Sequence, residues 1–339
     1  MKATFLAPAL GPEGTFYGVF SDIMASAAAQ LDVDLDLVDC RKSAEEMIDR
    51  GRALVHVARR PDYVLLPNYL GVAAKLLPLF DEARVPVFLV AEGIAGGARA
   101  LQGEPRQKHL HWLGEILPAD AEAGYLLAKA LTREAHERGW SGRDGRIHVG
   151  ILSGDQSAAG LARYRGWMRL KGQDGAVEQT SFHYAGWERD LAKSATALML
   201  RSHPEVGVIW AANDAMALGA ADAAREAGRV PGGDVLLGGI DLGREALAQV
   251  AEGSLAVSIG GHFLDGAQAL ILLHDYHEGR DFQPWSRQSS LATARKRDAD
   301  RYLRFLEDRA WRSIDFTRFS RVRGERSEPA AFSLDSIQP

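Results

Sequence analysis

A single cysteine in 339 residues, Cys40, excludes an internal disulfide and a metal site built from thiolates. Free cysteine mostly behaves as a small apolar residue, so Cys40 is expected to be buried after the second strand. No stretch approaches the ~20 apolar residues that a bilayer-crossing helix needs. Lys2 to Leu10 is too short for a leader's charged region, apolar run and cleavage site, so an exported protein is expected to have shed its leader ahead of this chain. Charge is also scarce in the sense that matters for partners. The 40 basic and 45 acidic residues leave a formal net charge of −5. A nucleic-acid module displays a clustered basic face, so no nucleic-acid partner is expected.

The motifs of common chemistries are missing as well. Gly238-Gly-Ile-Asp-Leu-Gly243 fails as a dinucleotide fingerprint, because its second glycine falls one position early and the strand ends in Asp241. Gly93 to Gly97 lacks the lysine and hydroxyl of a phosphate loop, and Gly150-Ile-Leu-Ser153-Gly154 misses the nucleophile-elbow spacing. His109 with His111, on one face of a strand, and His274 with His277, on one face of a helix, could each grip a metal, but neither pair has a third ligand in reach. No catalytic constellation, metal or cofactor is expected.

What is present is alternation. Ala3–Pro8, Leu35–Cys40, Tyr63–Pro67 and Val85–Val90 read as strands, with helices between them over Thr15–Leu31, around Met47 to Leu54 and over Val72–Ala83. Gly93 to Lys108 shows no periodicity; a strand resumes at His109–Gly114, and Glu115–Ala119 reads as a crossover. A second round follows: helix Asp120–Glu137, strand Ile147–Leu152, helix Ala158–Leu170, strand Ala176–Phe182 and helix Trp187–Leu200. Strands at Val235–Ile240 and Leu255–Ile259 come next, then helix Asp265–Glu278, a crossing strand over Arg287–Thr293 and a tail from Arg295 with Tyr302, Leu303 and Leu306 on one helix face. Short connections between strands and amphipathic helices argue parallel sheets covered on both faces. At roughly 100 to 200 residues per domain, the length suits two such lobes. The tail beyond Tyr302 is Arg-rich and dotted with aromatics, and the polar segment from Ser327 is expected to be loose.

The most informative stretch is Val206–Gly228, VGVIWAANDAMALGAADAAREAG. A buried strand runs through Ala211-Ala212-Asn213-Asp214 into an alanine-rich helix closed by Gly228. That places amide and carboxylate groups at a strand's carboxyl end, where open α/β sheets hold ligands. Asp214 is expected to cap the helix. This segment resembles one shared by type I periplasmic sugar-binding proteins of the ribose-binding-like group and the effector domains of lactose-repressor-like regulators; the likeness extends to about Tyr302.

The resemblance implies an α/β fold of two Rossmann-like lobes, with parallel-sheet cores flanked by helices, joined by three crossing hinge strands. The lobes would comprise residues 1–116 with 262–291, and 117–261 with 292–339 including the tail. It further implies that a polar ligand is closed between the lobes and that particular residues touch it. Phe16-Tyr17 stand where paired aromatics clamp the ligand ring, although Phe16 also reads as first-helix core. Glu13 stands close by, as a weaker candidate. Asn68 follows the third strand, and Glu92 follows the fourth where ribose binders place an acidic residue. Arg163-Tyr-Arg-Gly166-Trp167 answers the family's R-x-x-G-F pattern, with Arg163 either on the ligand or a helix-surface charge. Leu161 replaces a further sugar-reaching arginine, a departure from ribose binders. Asn213 and Asp241 match positions that bond ligand hydroxyls. Near the next crossing Gly261 replaces a glutamine, with His262 beside it as a substitute ligand or a hinge support.

The expected protein is therefore a monomeric, non-enzymatic periplasmic receptor for a sugar or polyol, delivering it to an ABC transporter permease, a sensor kinase or a chemoreceptor. The alternative is the effector domain of a repressor-like regulator. That reading would need a helix-turn-helix module ahead of the first strand, and the strand begins at Ala3. An enzyme on the same two-lobed scaffold is the remaining reading.

Overall fold

The computed structural model describes residues 1–11, 14–324 and 332–337. In chain order, β1 (Lys2–Ala7), α1 (Phe16–Gln30), β2 (Asp34–Asp39), α2 (Ala44–Leu54), β3 (Tyr63–Leu66), α3 (Val72–Glu82), β4 (Val87–Val90), α4 (Gly96–Gln102) and β5 (Trp112–Leu117) form the first run. The second is α5 (Asp120–Glu137), β6 (Ile147–Ser153), α6 (Ala158–Lys171), β7 (Val177–Tyr184), α7 (Arg189–Ser202), β8 (Val208–Ala211), α8 (Asp214–Glu226), β9 (Leu236–Asp241), α9 (Arg244–Glu252) and β10 (Val257–Gly260). Then come α10 (Asp265–His277), β11 (Ser286–Gln288), β12 (Ala292–Ala294) and α11 (Lys296–Glu307).

Two compact units result. The first holds Met1–Pro118, His262–Ser290 and the described part of Ala310–Pro339; the second holds Ala119–Gly261 and Leu291–Arg309. The chain thus passes between units four times, one more than the three crossings expected, because it returns to the first unit after Arg309. The first sheet runs β2-β1-β3-β4-β5-β11, with every pairing parallel. The second runs β7-β6-β8-β9-β10-β12, with only the edge strand β12 antiparallel.

Strands covered on both faces must be apolar throughout, and β3, β4 and β8 are buried at every residue. Side-chain caps start the helices: Thr15, Ser43, Ser157 and Asn213 accept from the backbone amides of Gly18, Glu46, Gly160 and Met216. Cys40 is fully buried, as expected.

Four segments depart from the sequence expectation. The aperiodic stretch after Gly93 contains α4, whose Arg99 reaches Glu115 through Nη1 at 3.0 Å and Nη2 at 2.8 Å. That pairing, with Ser286 donating to Glu115 at 2.7 Å, lets a glutamate only 1% exposed sit inside β5, where the sequence suggested a crossover. His109 and His111 precede the strand, bonded to Gln102 and Asp81. The α9 helix was not anticipated. The single crossing strand over Arg287–Thr293 is two, β11 in one sheet and β12 in the other.

The tail also departs from expectation, since the sequence places it with the second lobe and its described part from Ala310 belongs to the first unit. Trp311, Ile314, Phe316 and Phe319 are buried there. The Gln30 side chain at the end of α1 donates to the Ile314 carbonyl at 2.7 Å and accepts from the Phe316 amide at 2.8 Å. The aromatics dotted along the tail therefore serve as core. Most of the polar segment from Ser327 lies outside the described residues.

Candidate functional site

In each unit the functional candidates follow strands at the carboxyl edge of the sheet. In the second unit α6 presents Arg163 and α5 begins with Asp120; Arg163 Nε donates to Asp120 Oδ1 at 2.8 Å. Arg163 Nη1 donates to the Ala212 carbonyl at 2.6 Å, beyond β8, and to Asp241 Oδ1 at 3.3 Å, at the end of β9. Three segments far apart in sequence thus converge on one guanidinium, whose side chain is 7% exposed. Burial works against the Arg163 charge, but the carboxylates of Asp120 and Asp241 outweigh it, and the group is held charged beyond its ordinary range. Trp187, half-buried in the loop after β7, lies with its ring centroid 5.4 Å from the Arg163 guanidinium carbon.

Asp214 takes a role different from the one the sequence suggested, and the helix cap falls to Asn213 instead. Asn213 is the helix cap: its Oδ1 accepts from the Met216 amide at 2.9 Å, and its Nδ2 donates to the Trp187 carbonyl at 3.3 Å. Asp214, expected as the cap, turns its carboxylate toward the next loop. It accepts the Gly243 amide at 2.7 Å and the Ser258 hydroxyl at 2.8 Å and 2.9 Å. Burial and then the neighbouring Asp241 push the Asp214 carboxyl up to about 7, against the bonds from Gly243 and Ser258 and the charge of Arg163.

In the first unit Phe16 and Tyr17 open α1, half-buried, with ring centroids 5.1 Å apart edge to face. Phe16 also lies 4.8 Å from the His262 ring and 5.8 Å from Phe20. Phe16 thus packs partly as first-helix core, the alternative its sequence position left open. His262 itself is buried. Asn68 and Glu92 come together after β3 and β4: the Asn68 amide donates to the Glu92 carbonyl at 2.8 Å. The Asn68 side chain donates to the Gly93 carbonyl at 3.2 Å and accepts from the Ala74 amide at 3.1 Å. Glu13 lies outside the described residues.

The structure therefore gathers Arg163, Asn213 and Asp241 at one edge, and Phe16 with Tyr17 and His262, and Asn68 with Glu92, at the other unit's edge. Sequence reasoning passed over two members of the second-unit cluster, Asp120 and Trp187. Asp120 reads as an ordinary acidic first-turn residue. Trp187 reads as the first residue of a helix, whereas it precedes α7 with φ +67°; Gly186 before it was the available signal. Among the described residues no group of three metal-ligating side chains occurs, and no helix is long and apolar enough to cross a membrane.

Known proteins share the fold of this chain. Residues 118–280 match the periplasmic binding protein domain. A periplasmic sugar-binding protein from Pseudomonas fluorescens is 30% identical, with 98% of each chain covered and a TM-score of 0.88. A solute-binding protein of an Actinobacillus succinogenes ABC transporter, solved with D-allose, shares the fold at a TM-score of 0.75, with 22% identity over 89% of this chain and 99% of its own. The D-allose-binding periplasmic protein of Escherichia coli is 31% identical over 129 residues, 38% of this chain and 41% of that protein. The chain thus spans under half the length of that curated relative. The chain belongs to the type I periplasmic binding proteins, a family of substrate-binding proteins, as the resemblance in Val206–Gly228 implied.

Proposed function

We propose that the protein captures a sugar or related polyhydroxy solute in the periplasm and presents it to an ABC importer or a membrane sensor, as a monomer and without catalysis. The observation that carries this reading is the buried guanidinium of Arg163 held between Asp120 and Asp241. One fixed cation beside two carboxylates supplies both donors and acceptors to hydroxyl groups while keeping excess negative charge. An anionic solute is repelled by that excess. The half-buried rings of Tyr17 and Phe16 suit the apolar face of a sugar, worth ~0.5 to 1.5 kcal/mol beyond buried area by analogy with aromatic pairs. Three or four charge-assisted bonds at ~1.5 to 3 kcal/mol each, with a stacked ring, reach the ~8 kcal/mol of a micromolar complex.

The sugar binding of the Pseudomonas fluorescens relative and the D-allose, arabinofuranose and myo-inositol bound by proteins of the same fold support the ligand class. The test is a thermal-shift screen over D-allose, L-arabinose, D-galactose, myo-inositol and amino acids. A ligand at 100 times its Kd stabilises by ~2.7 kcal/mol. A sugar or polyol should raise Tm in the wild type and fail to do so in Asp241→Ala; a response to amino acids alone overturns the assignment.

A further inference from the structure

Asp241 and Leu242 occupy positive φ, +135° and +59°, a conformation that side-chain-bearing residues rarely keep without support. The support comes from one buried carboxylate. Asp214 accepts the Gly243 amide at 2.7 Å and the Ser258 hydroxyl, and Ser258 Oγ in turn accepts the Leu242 amide at 3.1 Å. Asp214 and Ser258 are 4% and 0% exposed. Gly260, next to them in β10, has no room for a side chain: a Cβ there would lie 2.6 Å from the Asp241 carbonyl carbon. The turn is therefore clamped from α8 and β10 together.

We propose that Asp214 and Ser258 form a latch that fixes the strained Asp241–Gly243 turn, so that Asp214 is a positioning residue setting both the aim of the Asp241 carboxylate and the pH dependence of ligand affinity. This rests on the reading of Asp241 as a ligand-binding group. The groups facing Asp214 are Asp241 from β9, Arg163 from α6, the Ser258 hydroxyl from β10 and the Gly243 amide; Asp120 from α5 acts through Arg163. When Asp214 is protonated, its carbonyl oxygen still accepts from Gly243 and its O–H donates to Ser258 Oγ, so the latch survives. What changes is charge. An ionised Asp214 sets a second anion beside Asp241, and a solute that displaces water from Asp241 strengthens that repulsion. Binding accordingly favours the protonated acid, takes up a proton and weakens as pH rises through about 7, the value to which burial and Asp241 push Asp214.

Two measurements test this on the whole protein. Ligand-free hydrogen exchange at Leu242 and Gly243 should quicken by about tenfold or more in Ser258→Ala and stay near wild type in Asp214→Asn, which mimics the neutral acid and keeps the bonding pattern. Calorimetric titration with D-allose, or whichever screened sugar binds, should give a Kd roughly 10- to 100-fold weaker in Ser258→Ala. The wild-type Kd should weaken between pH 6 and 8, a slope absent in Asp214→Asn. Unchanged exchange in Ser258→Ala, or a wild-type pH slope persisting in Asp214→Asn, overturns the proposal. If no screened sugar binds the wild type, the ligand assignment fails while the exchange measurement still decides the latch.

Discussion

Gly124 in α5 lies directly against the backbone of Arg163 in α6: a Cβ on Gly124 would sit 2.0 Å from the Arg163 carbonyl oxygen. This close approach lets the first turn of α5 bring Asp120 to the Arg163 side chain. The site's charge pair is thus set by helix packing a full turn away from it.

Gly124→Ala should therefore act on both stability and binding. Overpacking at a backbone contact costs about 1 to 3 kcal/mol. The two helices must separate, which lengthens the Asp120–Arg163 bond. Urea unfolding should show the lower stability, and sugar titration a weaker Kd in the fraction that stays folded. An unchanged Kd would mean that the α5–α6 spacing does not govern the charge pair.

Removing the guanidinium is a harsher test. Arg163→Met leaves Asp120 and Asp241, at 12% and 19% side-chain exposure, without their shared counter-charge. Breaking a buried pair from one side costs about 3 to 5 kcal/mol, much of it from the stranded charges. Adding Asp120→Asn to Arg163→Met should recover part of the loss in urea unfolding, since one stranded charge is gone. Strict additivity of the two substitutions would show that the groups are not coupled.

These dependencies explain what could be read along the chain and what could not. The strand and helix alternation was legible because strands in the middle of each sheet are short apolar runs, Tyr63–Leu66 and Val208–Ala211 being examples. Glu115 inside β5 was not, because the groups that compensate it, Arg99 and Ser286, lie 16 residues before and 171 after it. Arg163 and Asp241 could be singled out by resemblance, but their contact spans 78 residues and the contact of Arg163 with Asp120 spans 43. Asn213 and Asp214 are interchangeable as caps by composition. Which of them faces the amide of residue 216 depends on where the helix begins, and helix starts are poorly specified by sequence. The core role of the tail's aromatics was not legible, because the α1 and α10 faces they cover lie far back in the chain.

Arg106 offers a prediction in the first unit. Its guanidinium bonds Asp281 at 2.6 Å and 2.7 Å and the Leu113 carbonyl at 2.8 Å, and lies about 5 Å from the ring centroids of Tyr276, Phe282 and Trp285. A flat, forked cation fits this setting and a point charge does not. Arg106→Lys keeps the charge yet should lower stability by about 1 to 2 kcal/mol, through the lost bidentate bond and the lost stacking. Because the charge itself is kept, little of that loss should respond to salt. Urea unfolding at low and high ionic strength checks both statements.

The attachment of the tail should depend on pH through Asp275. Burial raises this carboxyl, but bonds from His274, the Ser320 hydroxyl and the Arg321 amide outweigh it and hold the group below the usual carboxylate range. A folded-state value below the unfolded one means that the stabilisation is complete above the ordinary aspartate pKa, near ~3.9, and is lost as pH falls through the lower folded value. Acidification below about pH 4 should therefore free the segment that follows Ala310 from α1 and α10, exposing Trp311, Phe316 and Phe319. Trp311 emission should shift to longer wavelength, and the junction at Arg309–Ala310 should become sensitive to an acid protease before the second unit unfolds. Asp275→Asn keeps the shape of the side chain but removes the charge that Ser320 and Arg321 bond. It should loosen the tail already at pH 7 and flatten the acid transition. A transition of unchanged midpoint in that variant would assign the acid sensitivity to other carboxylates.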